Sequence, residues 1–297
     1  MSREPRGAPA TLASVGEPST SDPTRPPEPV MVFDLLAEDR AALLQLLDTV
    51  DEDDWARPTA CAGWSVKDVA GHILGGDLGN LSRRRDDYRS ETPLPDEDLV
   101  GFINHFNDDW VRAARRLSPH VVRDLLAAAG PPLFAYFALL DPAATGGPVS
   151  WAGPAPAPVW LDVAREYTER WHHQQHIRDA VGKPGQTERR FLHPILATFA
   201  YALPFTLHDA DAPIGAVVHL HIRGEAGGDW SLAREPAGWR LAIGAPATAA
   251  ARVDIDQERA WRLFTKGITS EQAQAAATLE GDHRLGIRLL DTVAIIA

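Results

Sequence analysis

Sulfur is scarce in this chain: a single cysteine, Cys61, stands among 297 residues. That excludes an intramolecular disulfide framework and a Cys-rich zinc finger, and it is the usage expected of a cytoplasmic protein. Positive charge is also short. Lys and Arg number 29 against 41 Asp and Glu, for a net charge of −12. Without a basic stripe to neutralise phosphates, nucleic acid is a poor partner, and an anionic membrane surface is no better. No run approaches the roughly 18 apolar residues of a membrane span. The first 30 residues contain seven prolines and almost no large apolar side chain. Residues 1–30 are therefore expected to be a disordered tail. Lacking an apolar h-region, they do not read as a secretory signal. A functional tail and a misassigned start codon explain such a segment equally well.

Apolar residues at 44% and charged residues at 24% are ordinary for a folded protein. The length allows one large domain or two ordinary ones. Helical periodicity begins with Phe33, Leu36, Leu43, Leu44 and Leu47. Ser65 followed by Asp68 reads as a capping-box start for a second helix, whose glycines imply close approach by a neighbouring helix or a ligand. A third helix is expected over 96–129, then a Pro/Gly-rich loop over 130–158, with a lid over the site as one use for it. A fourth helix is expected over 159–181 and a fifth over 190–207, with no strand before Pro213. Beyond that point alternation predicts four strands, from 217–222 to the ARVDI segment, and then three helices, the last ending in LLDTVAIIA. The expected fold class is α+β with two domains: an up-down bundle of four or five helices over 31–210 and a small α+β domain over 211–297.

The chemistry concentrates in REYTERWHHQQHIRD. At 100° per residue, Glu169, His173 and His176 fall within about 60° of one another, with His172 to one side. Such a face is costly to bury without a partner. A divalent cation would resolve the cost, because carboxylate oxygen and neutral imidazole nitrogen both ligate it. The second helix adds His72 on a face shared with Val69, Ile73 and Gly76. Bundle cores often build metal sites from Glu and His on facing helices. A set of three protein ligands with one position open is the catalytic pattern. A satisfied core histidine at 72 and a solvated face on the fourth helix are the bland alternatives.

The segments ACAGWSVKDVAGHILGG and ERWHHQQHIRDAVGKPG resemble the mycothiol-dependent maleylpyruvate isomerase family, whose helical part belongs to the DinB-like metal-binding bundles. The stretch ARVDIDQERAWRLFTKGITSEQAQAAATLEGD resembles that family's sterol-carrier-like domain. The resemblance implies zinc held by His72, Glu169 and His173. Where the family often has Asp three residues on, this chain has His176, and it has His172 directly before His173. Either could act as the base or join the ligands. The resemblance also implies an arginine from the second domain, for which Arg223 and Arg252 are the candidates. The expected activity is that of a metalloenzyme using mycothiol or a related low-molecular-weight thiol in an isomerase or S-transferase reaction. Its partners would be that thiol and a small electrophilic substrate, with the protein acting as a monomer. The rival readings are a thiol-independent metal hydrolase and a non-catalytic carrier or regulator that holds a small hydrophobe. The same ligands suit zinc, nickel or iron.

Other residues have quieter readings. Cys61 is either a packed loop thiol or a nucleophile activated by the helix start that follows it. Trp64, Trp110 and Trp171 are core residues or line a pocket. Arg83, Arg84 and Arg85 form a solvated helix end or a carboxylate clamp. His219 and His221 are expected on an exposed strand face with no role.

Overall fold

The computed structural model describes residues 25–88 and 92–295; most of the predicted N-terminal tail lies outside them. Of its last residues, Val30 packs against the core and the Arg25 carbonyl accepts a hydrogen bond from Ile243 N–H at 3.2 Å. Five long helices come first: α1 (Phe33–Leu47), α2 (Val66–Asn80), α3 (Leu99–Ala114), α4 (Pro119–Ala138) and α5 (Val159–Ala180). A short hairpin of β1 (Thr145–Pro148) and β2 (Pro156–Pro158) precedes α5, and α6 (Arg189–Phe199) and α7 (Leu203–Thr206) follow it. The sheet strands are β3 (Val217–Arg223), β4 (Gly228–Glu235), β5 (Gly238–Ile243), β6 (Ala251–Asp256) and β7 (Thr278–Gly281). The helices among them are α8 (Gln257–Phe264), α9 (Ser270–Ala276) and α10 (His283–Leu289). The architecture is α+β, a helical part followed by a sheet-containing part.

Several boundaries differ from the sequence reading. The single helix expected over 96–129 is two helices, broken at Ser118, which caps α4 by accepting from Val121 N–H, with Pro119 at its first position. The loop expected from residue 130 is helical to Ala138. Pro131 and Pro132 each remove a backbone donor. Leu126, Leu133 and Phe137 are fully buried, and that packing outweighs the local penalty. The β1–β2 hairpin is a strand pair the sequence reading did not anticipate, because three of its seven residues are proline. The expected fifth helix breaks after Phe199, and the last helix stops at Leu289 rather than running on through LLDTVAIIA.

α2 lies against α3, α4 and α5. Its capping box is formed, with Ser65 Oγ accepting from Asp68 N–H and the Asp68 carboxylate accepting from Ser65 N–H at 3.0 Å. Its glycines admit α3. A Cβ on Gly71 would stand 3.1 Å from that of Ala114, and one on Gly75 would enter the Trp110 ring, whose Nε1–H donates to the Gly71 carbonyl at 2.7 Å. α2 and α5 are joined by buried charge. Asp77 receives Arg40 Nη2 at 2.6 Å and Arg170 Nη2 at 2.9 Å, and Arg170 Nη1 reaches Glu166 at 2.8 Å. Asn80 Nδ2 also donates to Glu166, at 2.9 Å. These partners explain how α5, rich in polar side chains, is buried along most of its length.

The sheet runs in the order β5-β4-β3-β6-β7, parallel only between β3 and β6. Its apolar residues, among them Val218, Leu220, Ile222 and Val253, join the core cluster that includes Tyr167 and Trp171 of α5. Trp171 and Trp261 meet edge to face at 5.3 Å between centroids. The helical and sheet parts thus share one apolar core. The opposite sheet face is polar but not open. His219, expected to be exposed, is buried between neighbouring strands, with Nε2–H donating to Asp229 at 2.8 Å and Nδ1 accepting from Arg252 at 2.9 Å.

Asp77→Ala leaves two buried guanidinium groups without their shared anion. A loss of about 3–5 kcal/mol is expected in urea denaturation. Gly75→Ala displaces Trp110 and should cost about 1–3 kcal/mol by the same measurement. Wild-type midpoints in both variants would contradict this packing.

Candidate metal centre

The approach of α2 and α5 brings together one donor from α2 and two from α5. His72 Nε2 lies 3.2 Å from Glu169 Oε1, and His173 Nε2 lies 3.1 Å from the same oxygen. The rings of His72 and His173 stand edge to face at 4.6 Å. All three ligand atoms lie within 4.8 Å of one another. A tetrahedral cation with bonds of ~2.0–2.2 Å holds neighbouring N and O donors ~3.3 Å apart. The spacing and the donor set therefore fit a divalent ion. His72 and His173 are buried, while Glu169 is partly open to the cavity above it.

The other two histidines of α5 have different surroundings. His172 is buried beside His173, and its Nδ1–H donates to the Thr168 carbonyl at 2.9 Å. Its Nε2 therefore keeps the lone pair. His176 turns its Nδ1 toward Cys61 Sγ, 3.2 Å away, and the Nδ1 of His173 lies 3.7 Å from that same sulfur. Cys61 is thus a wall of the site rather than a remote loop thiol. Burial, reinforced by the Glu169 charge, pushes its thiol up to about 11, although the Thr59 hydroxyl opposes the shift. The upward shift runs against the nucleophile reading and agrees with a packed loop thiol.

Burial keeps the three imidazoles of α5 neutral, and their mutual repulsion adds to it for His173 and His176. His172 is lowered, His173 falls to about 3 and His176 to about 2, even with Glu169 pulling the other way. Burial opposes ionisation of Glu169, but His173, His72 and His172 overcome it and hold its carboxyl well below the usual range. Neutral imidazoles and an ionised carboxylate are the protonation states that a cation requires.

A cavity of about 640 Å³ opens over these side chains. Trp64 and Trp151 line it, as do Arg83 and Arg165. α3 adds Asn104 and Phe106, and the sheet part closes another side through Thr265, Lys266 and Gly267 just after α8. Lys266 holds a left-handed backbone, φ +60°, where the helix ends. It is the cation that the second part contributes to the cavity. Arg223 pairs with Asp254 and Arg252 bonds His219, both on the polar face of the sheet, so neither lines the cavity. The Thr-Lys-Gly end of α8 was visible in the sequence, but not the direction it faces.

The three consecutive arginines separate in the π-helical turn Leu81–Arg85. Arg84 pairs with Asp162 and Arg85 with Asp86. Arg83 lies over the Phe106 ring at 4.7 Å and, among the described residues, makes no ion pair. Burial lowers its pKa below the ordinary guanidinium value. Of the tryptophans, Trp64 sits 5.0 Å from the His72 ring and lines the cavity. Trp171 is a fully buried core residue, and Trp110 packs between α2 and α3. Trp151 reaches the cavity from the segment between β1 and β2, which is what remains of the expected lid.

Residues 36–178 match the family described as the mycothiol maleylpyruvate isomerase N-terminal domain. An uncharacterized protein of Mycobacterium tuberculosis (strain H37Rv) is 28% identical over 218 residues, covering 71% of this chain and 79% of its own. The crystal structure of the mycothiol-dependent maleylpyruvate isomerase superposes with a TM-score of 0.50 at 13% identity, covering 84% of this chain and 91% of that one. The two proteins share a fold. Sterol carrier protein 2 like 2 of Aedes aegypti covers 32% of this chain and 94% of its own, at 19% identity and a TM-score of 0.26.

Acid should test the neutral imidazoles. The folded pKa values of His172, His173 and His176 lie below the ordinary 6.5. Their contribution to stability is therefore present above about pH 6.5 and is lost as pH falls toward the folded values, because the unfolded chain takes up protons first. The thermal midpoint of chelated protein should drop between about pH 7 and pH 5, and His176→Asn should drop less. Equal drops would show that His176 is not held neutral.

Proposed function

Because residues 36–178 match the mycothiol maleylpyruvate isomerase N-terminal domain family, we propose that the chain is a metalloenzyme of that family using a low-molecular-weight thiol. In this reading the thiol is mycothiol or a close relative, and the reaction is an isomerisation or S-transfer on a small electrophilic substrate. The observation that carries the reading is the convergence of His72, Glu169 and His173 under a cavity of about 640 Å³.

These three side chains would hold a divalent ion, zinc being the natural choice for two imidazoles and a carboxylate. When bound, such an ion stabilises a thiolate over the thiol near neutral pH. The chain's own groups do the rest. His172, with Nδ1–H committed to the Thr168 carbonyl, offers Nε2 as the acceptor for the thiol proton. His176 is the second base candidate, although its Nδ1 is directed at Cys61. Arg83, from the π-helical turn after α2, and Lys266, from the turn after α8, supply positive charge to the cavity, suited to an anionic electrophile. In the isomerase form, sulfur adds to one carbon of an activated double bond as the π pair moves onto the conjugated carbonyl. The new single bond rotates. Elimination then returns the electron pair to sulfur and releases the other geometric isomer. In the transferase form the carbon–sulfur bond is kept and the enolate carbon takes up the proton that the histidine base removed from the thiol. Trp64 and Trp151 line the cavity and give it an apolar wall beside the thiol.

Purified protein should carry one divalent ion per chain by elemental analysis. His72→Ala and His173→Ala should lose it and reduce turnover by more than the ~10–100-fold typical of disrupting an outer-shell partner. Turnover should require added thiol, and Lys266→Ala should raise KM for an anionic substrate more than it lowers kcat. Full metal occupancy in both histidine variants would refute the site. Undiminished turnover without thiol would favour a hydrolase.

A further inference from the structure

The imidazole of His173 presents donors in two directions. Its Nε2 meets Glu169, whereas its Nδ1 faces Cys61 Sγ. His176 brings its own Nδ1 to that same sulfur, one turn further along α5. We propose that Cys61 Sγ, His173 Nδ1 and His176 Nδ1 form a second cation site, one for a soft or borderline ion. The thiol-dependent reading shares His173 with this site but does not use the sulfur, and the site does not rest on that reading.

The distances are those of a ligand set. The sulfur stands 3.2 Å from one nitrogen and 3.7 Å from the other, and all three atoms lie within 4.8 Å of one another. Tetrahedral zinc, with Zn–S ~2.3 Å and Zn–N ~2.0–2.1 Å, sets S···N separations near ~3.6 Å. The backbone holds the sulfur in place. Thr59 N–H donates to the Trp64 carbonyl at 3.0 Å, and Trp64 N–H donates to the Cys61 carbonyl at 3.0 Å, closing the turn that aims Cys61 at α5.

Hydrogen bonding alone satisfies this cluster poorly. A thiol has one proton and can give it to only one of the two Nδ1 atoms. The other ring would have to donate to sulfur, a weak acceptor. A cation accepts lone pairs from both rings and from the sulfur together. Thiolate with two imidazoles selects zinc, cadmium or copper(I) over magnesium or manganese. On binding, the S–H bond breaks, the sulfur–metal bond forms and the proton leaves to solvent, with no change of oxidation state.

The two sites compete. A neutral imidazole offers one lone pair, so His173 serves one ion at a time. When Nδ1 is ligated, Nε2 carries the proton and donates to Glu169 Oε1, 3.1 Å away. A soft ion on the Cys61 side therefore removes one of the three donors of the first centre.

The test is a cadmium titration of the chelated full chain, with a phosphine reductant and no added thiol, read by the ultraviolet thiolate-to-cadmium charge-transfer band. The band should appear, saturate at one cadmium per chain and persist in His72→Ala. It should be absent in Cys61→Ser and need at least ~10-fold more cadmium in His176→Asn, with circular dichroism confirming that each variant is folded. No band in the wild type would overturn the proposal. So would a band lost in His72→Ala but unchanged in His176→Asn, because the sulfur would then belong to the first ion. Failure of the thiol-dependent reading would appear in turnover and leave this band untouched.

Discussion

A single carboxylate oxygen between two imidazoles on different helices is the contact around which this protein is organised. Glu169 can meet both His72 and His173 only if α2 and α5 lie close and in one register. The charges beneath them hold that register. Asp77 on α2 binds Arg170 on α5, and Asn80 on α2 binds Glu166 on α5, one and two turns from the site. Such pairs add little net stability over apolar packing, yet breaking one is costly, so they act as a geometric lock. The glycines of α2 complete the arrangement by letting α3 close against its outer side.

Electrostatics around the site follow from the same packing. Burial would expel charge from every group in the cluster, but the groups do not respond alike. The imidazoles give up their protons, and the carboxylate keeps its charge because His173 and His72 donate hydrogen bonds to it. The cavity wall above carries both signs, with Arg83 and Lys266 as well as Glu169 and Asp108, while Arg165 and Arg170 are paired with Glu166. An acidic chain thus places cationic side chains in its cavity, and its overall charge of −12 says little about what enters there.

The sheet part belongs to the site as much as the bundle does. Trp261 packs edge to face on Trp171, two residues before His173. Arg262 pairs with Asp179 at 2.7 Å, which fixes α8 against the end of α5. The segment that follows α8 then lines the cavity through Thr265, Lys266 and Gly267. Lys266 lies there because its helix ends there in a left-handed turn.

Helices with strong periodicity and signalled starts, such as those beginning at Ser65 and Asp256, were legible from composition and spacing, because a capping side chain and an apolar stripe are local properties. So was the face of α5 that carries Glu169, His173 and His176, since residues a turn apart on a helix must share a side. The convergence of His72 with them was an inference from type, and its geometry is a tertiary fact. Local rules failed where burial overrode them, as in the helix that continues through Pro131 and Pro132. They also failed where facing mattered. His219 sits buried between two strands rather than in water, Arg223 and Arg252 point away from the cavity, and Lys266 points into it. The sequence by itself determined which donors this protein owns and which of them share a helix face. Only the tertiary structure decided which nitrogen of each ring meets which partner, because a ring's orientation depends on neighbours far away in the chain.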